Sequence, residues 1–221
     1  MKAIVHSQPG LLALLIVLWC CILPGESRAA EPEPEVVRVM SFNLWHGGDA
    51  GKQPLDQTVA VIKEARADLV GLQETAGVAS AGEPRPDRAA EIAKRLDWHY
   101  LDQGGRTGII SRFEIDAATP KKWGAKLKLP SGRQLYLFNA HFAHAPYQPY
   151  QLCGIPYLNA PYLKTEAEAV RAAQGARGGQ VARLLAEVNA VLPEKLPVFI
   201  TGDFNEPSHL EWSAAAANAS H

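Results

Sequence analysis

Pro197-Val198-Phe199-Ile200-Thr201-Gly202-Asp203-Phe204-Asn205 decides the fold class. A short apolar run reads as a buried strand, and it ends abruptly in a glycine beside short polar side chains. Polar groups at such a depth need partners, so other strands should end in polar residues at the same place. Three do. Val36 to Leu44 is an extended run carrying Asn43 near its end, Asp68 to Gln73 is followed by Glu74, and Tyr136-Leu137-Phe138-Asn139-Ala140 ends in His141. Helical spacing separates them: Pro54–Ala67 repeats Leu55, Val59, Ile62 and Ala65, Asp87–Leu96 repeats Ala90, Ala93 and Leu96, and Thr165–Val191 is helical with an expected break near Gly175–Gly179. Short strands are expected at Trp98–Leu101, Thr107–Ser111 and Glu114–Ala117. Pro130-Ser131-Gly132 is turn chemistry joining Lys126–Leu129 to Arg133–Phe142 as a hairpin. Strands entered from helices together with hairpins predict an α/β (α+β) domain with mixed sheets. His144 to Leu163, with four prolines and four tyrosines and no period, reads as a long surface loop.

The 221 residues suffice for one core, and 47% hydrophobic with 20% charged residues is a globular composition. A net charge of -1 excludes a broad positive field for nucleic acid or anionic lipid, so a polyanion would be held locally. The first residues differ from the rest: Lys2, an apolar run Leu11–Leu23, Pro24-Gly25, then Ser27-Arg28-Ala29-Ala30 have the layout of a signal peptide over 1–29. Residues 30–35 read as a linker, 36–221 as the domain, and the location as secreted or periplasmic, with no integral membrane span after cleavage. Cleavage would leave Cys153 as the single thiol of the mature chain and exclude an internal disulfide.

Strand-end carboxylates and amides are oxygen donors for a hard cation. Mg²⁺ or Mn²⁺ takes one or two carboxylates plus waters and phosphate oxygens, so Glu74 with Asp203 nearby is a sufficient set. An imidazole at His141 is placed to hydrogen-bond a phosphate oxygen. Each residue alone also fits an ordinary role: Asn43 capping a turn, Glu74 solvated at a strand end, His141 satisfied at the edge of a core.

Taken together and in order, Ser41-Phe42-Asn43-Leu44, Gly71-Leu72-Gln73-Glu74, Gly108-Ile109-Ile110-Ser111-Arg112, Asn139-Ala140-His141-Phe142 and Gly202-Asp203-Phe204-Asn205 resemble the motifs of a known superfamily. It is the endonuclease/exonuclease/phosphatase superfamily, which includes DNase I, abasic-site endonucleases, bacterial sphingomyelinases and inositol polyphosphate phosphatases. The resemblance implies a four-layer sandwich, two mixed sheets face to face with helices outside, and hydrolysis of phosphodiester or phosphomonoester bonds with Mg²⁺ or Mn²⁺. It implies that Glu74 ligands the metal and Asn43 fixes that ligand, the metal or the phosphate. By the same resemblance His141 contacts the scissile phosphate, Asp203 orients or deprotonates the attacking water, and Asn205 binds the oxygen on which charge builds. Two departures stand out. Trp45 occupies the place where many nuclease members carry a charged residue. The family's final strand bears an Asp-His or related pair, which His209 and His221 do not supply, so the domain is expected to lack its last strands and the chain to be an inactive remnant or a phosphate- or metal-binding module if not an enzyme. The partner implied is a phosphate-ester substrate, nucleic acid or phospholipid, with no stable protein partner. Tyr147, Tyr150, Tyr157 and Tyr162 suit base stacking, a lipid interface or packing on the domain.

Overall fold

Every residue of Leu69-Val70-Gly71-Leu72-Gln73 is buried, and a strand covered on both faces belongs at the centre of layered packing. The computed structural model describes residues 35–208 and shows what covers it. The elements run β1 (Val39–Asn43), α1 (Leu55–Glu64), β2 (Leu69–Gln73), α2 (Arg88–Leu96), β3 (His99–Gly104), β4 (Thr107–Ser111), β5 (Glu114–Ala118), β6 (Gly124–Lys128), β7 (Gln134–His141), α3 (Gln148–Leu152), α4 (Glu166–Val191) and β8 (Val198–Asp203). Among the described residues two four-stranded mixed sheets form, in the orders β1-β2-β4-β3 and β5-β6-β7-β8. β1 pairs parallel to β2 and β7 parallel to β8, while the remaining pairs are antiparallel.

Strand periodicity divides the apolar residues into three layers. Val70, Leu72 and Ile110 pack under α1 and α2 with Val59, Ile62, Ala89 and Ile92. Leu69 and Ile109 meet Ala125, Leu127, Leu135 and Leu137 between the sheets. Tyr136, Phe138 and Ala140 pack against Leu184, Val188 and Val191 of α4. The result is the α/β four-layer sandwich of the DNase I type.

The residues that face each other between the sheets change character along the strands. Below they are leucines and isoleucines. Toward the strand ends they become Ser41, Gly71, Gln73, Asn139 and Thr201, joined in one network whose centre, Gly71, Gln73 and Asn139, is buried. Gln73 Nε2 donates to Asn139 Oδ1 (2.6 Å), to Gly71 O (3.0 Å) and to Ser41 Oγ (3.3 Å). Asn139 Nδ2 donates to Leu72 O (3.0 Å), Gln103 Oε1 (2.8 Å) and Gly108 O (3.2 Å). Gly71 is the point of closest approach, since a Cβ there would collide with Thr201 Oγ1 and the Asn139 amide. The sheets are thus pinned at the end where the polar motifs emerge.

Three differences from the sequence reading have physical causes. α4 continues unbroken through Gly175–Gly179 for 26 residues. A capping box starts it, with Thr165 Oγ1 accepting from Glu168 N–H and Glu168 Oε2 from Thr165 N–H, and its later turns are tied by buried Glu187, which accepts from Thr119 Oγ1 (2.6 Å) and Trp123 N–H (3.1 Å). Those ties offset the roughly 1 kcal/mol that each interior glycine costs. Thr165→Ala should remove the cap and lower stability by about 1 kcal/mol, read from the urea midpoint. Second, the 144–163 loop contains α3, which has no apolar period because the residues it buries are Gln148 and Gln151, hydrogen-bonded to each other and to Pro161 O. Third, β8 is not fully buried: among the described residues it pairs only with β7, and Phe199 and Ile200 are 38% and 41% exposed. The hairpin turn is as expected, with Gly132 at φ +83° donating to Leu129 O. The signal-peptide reading lies outside the described residues. Among those residues no helix is long and apolar enough to cross a membrane, and Cys153 is exposed and unpaired.

Candidate active site at the strand ends

β1 and β2 run parallel in register, Asn43 beside Gln73, and β7 and β8 run parallel in register, His141 beside Asp203. Because the two pairs face each other, the residues at their carboxyl ends share one corner. Asn43 Nδ2 donates to Glu74 Oε1 (3.2 Å) and Asp203 Oδ2 (2.9 Å), crossing from one sheet to the other. His141 Nε2 lies 3.9 Å from Glu74 Oε1 and 3.8 Å from Asp203 Oδ2. Asn43, Glu74, His141 and Asp203 are therefore brought together, from positions up to 160 residues apart.

Asn43 presents nitrogen to the site. Its Oδ1 accepts from Trp45 N–H (2.8 Å), so the side chain orients both carboxylates as a donor and its oxygen faces the following turn. Trp45, the departure from the family pattern, is 60% exposed and contributes its backbone. His46 was not singled out by the sequence reading. Its N–H donates to Glu74 Oε2 (3.1 Å) and its ring Nε2 lies 4.0 Å from the same oxygen. The only signal for it was its place just after Asn43-Leu44, on a turn where Trp45, His46 and Gly47 all take positive φ. Glu74 (φ 53°) and Asn205 (φ 51°) are left-handed too. Such conformations cost energy outside glycine and concentrate at functional sites, where the surroundings hold them.

Asn205 follows the turn after β8, its N–H donating to Asp203 Oδ1 (3.0 Å) and its Nδ2 to Phe142 O (3.0 Å). One amide hydrogen and the carbonyl oxygen of the side chain lie outside these two bonds. Burial holds the pKa of His141 below the ordinary histidine value, against the attraction of Asp203 and Glu74, with Arg106 and His144 acting in the same direction as burial. A neutral imidazole there has one donor and one acceptor nitrogen. Arg106, on the turn between β3 and β4, is a cation near the corner that the sequence reading also passed over.

Among the described residues no three His, Cys, Asp or Glu side chains form a closed metal cage. Two carboxylates, Glu74 and Asp203, each accepting from Asn43 Nδ2, are oxygen donors that fit a hard cation which keeps waters and takes substrate oxygens, as Mg²⁺ and Mn²⁺ do.

A 25% identical relative, an uncharacterized protein of Caenorhabditis elegans designated F14F9.5, aligns over 191 residues, 80% of this chain and 56% of that protein. The chain thus spans about half the length of the curated relative it matches. Among solved structures, Danio rerio (D. rerio) TDP2 humanized by 14 mutations superposes with a TM-score of 0.45 at 18% identity, covering 80% of this chain and 65% of the other. D. rerio TDP2 complexed with a single-strand DNA product has the same score and identity, covering 83% and 64%. The pattern of the Endonuclease/Exonuclease/phosphatase family matches residues 40–220, a span that contains every strand end described above. The chain belongs to the endonuclease/exonuclease/phosphatase family.

Proposed function

We propose that this chain hydrolyses phosphodiester bonds with a divalent cation, Mg²⁺ or Mn²⁺, held at the corner formed by Glu74 and Asp203. The observation that carries the reading is the single Asn43 amide bonded to both carboxylates, with His141 within 4 Å of each. A structural role would not require two acids to face each other across two sheets at the one polar end of the interface. Their mutual repulsion is relieved by the Asn43 donor between them and would be relieved further by a cation.

The cation, when bound, would polarise a non-bridging phosphate oxygen. Glu74 would hold it, kept in place by Asn43 Nδ2 and His46 N–H. Asp203, fixed by Asn43 and by Asn205 N–H, is free to accept a proton from an attacking water. The His141 donor nitrogen and the remaining Asn205 amide hydrogen would donate to the oxygen on which charge builds. A phosphomonoester would satisfy the same groups.

The test is the full chain with a chromogenic phosphodiester. Turnover with Mn²⁺ or Mg²⁺ that EDTA abolishes and added metal restores is expected; turnover that persists in EDTA, or binding of metal and phosphate without turnover, sinks the hydrolase reading. Export is proposed on the layout of residues 1–29. A mature protein beginning at Ala30 or Glu31 is expected from N-terminal sequencing, and an intact Met1 on exported protein would make the segment an anchor.

A further inference from the structure

Among the described residues of α4, none before Leu184 is buried except Arg177, which is 2% exposed. Apolar packing does not place it there. An apolar side chain of similar volume would be no less stable in such a position, because a guanidinium leaves water only if its donors are met. All five of its N–H groups are met. Nη1 donates to Ala143 O (2.8 Å) and Pro146 O (3.1 Å), Nη2 to Gln148 Oε1 and Glu206 Oε1, and Nε to Glu206 Oε1 (2.8 Å).

These acceptors lie on two segments. Ala143, Pro146 and Gln148 belong to the connection that leaves β7 just after His141, and Glu206 to the turn that leaves β8 just after Asp203 and Asn205. Gln180, three residues along α4 and so on the same face, adds to the hold, its Oε1 accepting from Ala143 N–H (2.9 Å). Where the segments touch, Phe142 N–H donates to Asp203 O (3.0 Å) and Asn205 Nδ2 to Phe142 O (3.0 Å). Asn205 keeps its left-handed φ of 51° within that junction.

We propose that Arg177 is a positioning residue of this site, clamping the turn Asp203–Glu206 against the segment after His141 and so fixing the spacing of the Asp203 carboxylate, the Asn205 amide and the His141 imidazole. The proposal rests on the hydrolase reading above. Arg177 has no donor left for a substrate and acts through those three groups. Its planar fork holds two chain segments in one relation, which an ammonium on a flexible stem does not do. Groups that act on a developing charge must be in place before it forms, and a displacement of about 1 Å can lower a rate on the order of 100-fold. Glu74 stands outside the clamp, its hydrogen-bond partners being Asn43 and His46, so the affinity for the cation is not what Arg177 governs.

Arg177→Lys in the full chain tests this, through its melting curve, its Mn²⁺ affinity from the electron paramagnetic resonance signal, its turnover of a chromogenic phosphodiester, and amide hydrogen exchange followed by NMR. A cooperative melt, unchanged Mn²⁺ affinity, and a maximal rate lower by about tenfold or more at unchanged KM are expected. Exchange should quicken at Phe142 and Asn205 N–H and stay as in wild type at Leu44 N–H, which donates to Gln73 O at the other sheet. A merely structural role would quicken all three amides together and lower the melting temperature with them. That outcome, or wild-type rate and exchange, would overturn the proposal. If Arg177→Lys does not melt cooperatively, Gln180→Ala, which removes one neutral hydrogen bond, should give the same pattern with a rate loss of about threefold, and a wild-type rate there would overturn it. The parent reading fails separately. If the wild type shows no Mn²⁺-dependent turnover the hydrolase is lost, and the affinity for inorganic phosphate in the presence of Mn²⁺ decides the positioning role: weaker binding in Arg177→Lys at equal Mn²⁺ affinity supports it, and equal binding overturns it.

Discussion

Glu74→Ala and Asp203→Asn should each lower Mn²⁺-dependent phosphodiester hydrolysis by about 100-fold or more, the scale of losing a metal ligand or a water-activating base. The two variants should fail differently. Removing the Glu74 carboxylate leaves His46 N–H and one bond of Asn43 without an acceptor, so the metal concentration needed for half-maximal rate should rise steeply. Asp203→Asn keeps the shape and one acceptor for Asn205 N–H but cannot take a proton at neutral pH, so the loss should fall on the maximal rate. Both side chains are partly exposed, at 19% and 32%, and removing one of two facing negative charges does not unfold the domain. Rates measured across a metal titration, with the melting curve of each variant beside them, check this. Unchanged rates in both variants would mean the corner is not the site.

A second large effect is expected far from any substrate contact. Asn139→Ala should lower unfolding free energy by about 3 kcal/mol, because it strips the partner from Gln73 Nε2 and leaves the Leu72 and Gly108 carbonyls and Gln103 Oε1 short of a donor in a buried space. Asn139 is 1% exposed, so water does not make up the loss. It sits two residues before His141, opposite Thr201 in the register that places Asp203, so the sheet spacing at the corner depends on it. Denaturant unfolding of wild type and variant checks the figure. A change below about 0.5 kcal/mol, the range of ordinary surface substitutions, would show that the network is not what pins the sheets.

The residues legible in the sequence were those whose chemistry contrasts with their neighbours. Asn43, His141 and Asp203 each end an apolar strand, and Glu74 follows one, so polarity at depth marked them. Their convergence was legible only through the family resemblance, because nothing in local spacing says that β1 pairs with β2 or β7 with β8. Gln73 and Asn139 were legible only as members of their motifs, and nothing in the sequence said that they satisfy each other between the sheets. Arg177 was invisible for the opposite reason. On a 26-residue helix rich in charged residues it reads as one more solvated side chain, and its burial follows from acceptors supplied by Ala143, Pro146, Gln148 and Glu206, none of which an apolar period reveals. α3 escaped for the same cause, its buried side chains being amides. The expected break in α4 failed because glycine lowers helix propensity without forbidding helix, and the later turns are anchored by Leu184, Glu187 and Val188.

The central claim is that one divalent ion, held by Glu74 beside Asp203, carries phosphodiester hydrolysis. Titrating Mn²⁺ into metal-stripped full-length protein, with bound ion followed by its electron paramagnetic resonance signal and turnover measured in the same samples, tests it most directly. One ion per chain, occupancy and turnover rising together, and both lost in Glu74→Ala are predicted. Turnover without bound Mn²⁺, or an ion bound with the same affinity in Glu74→Ala, would contradict the account.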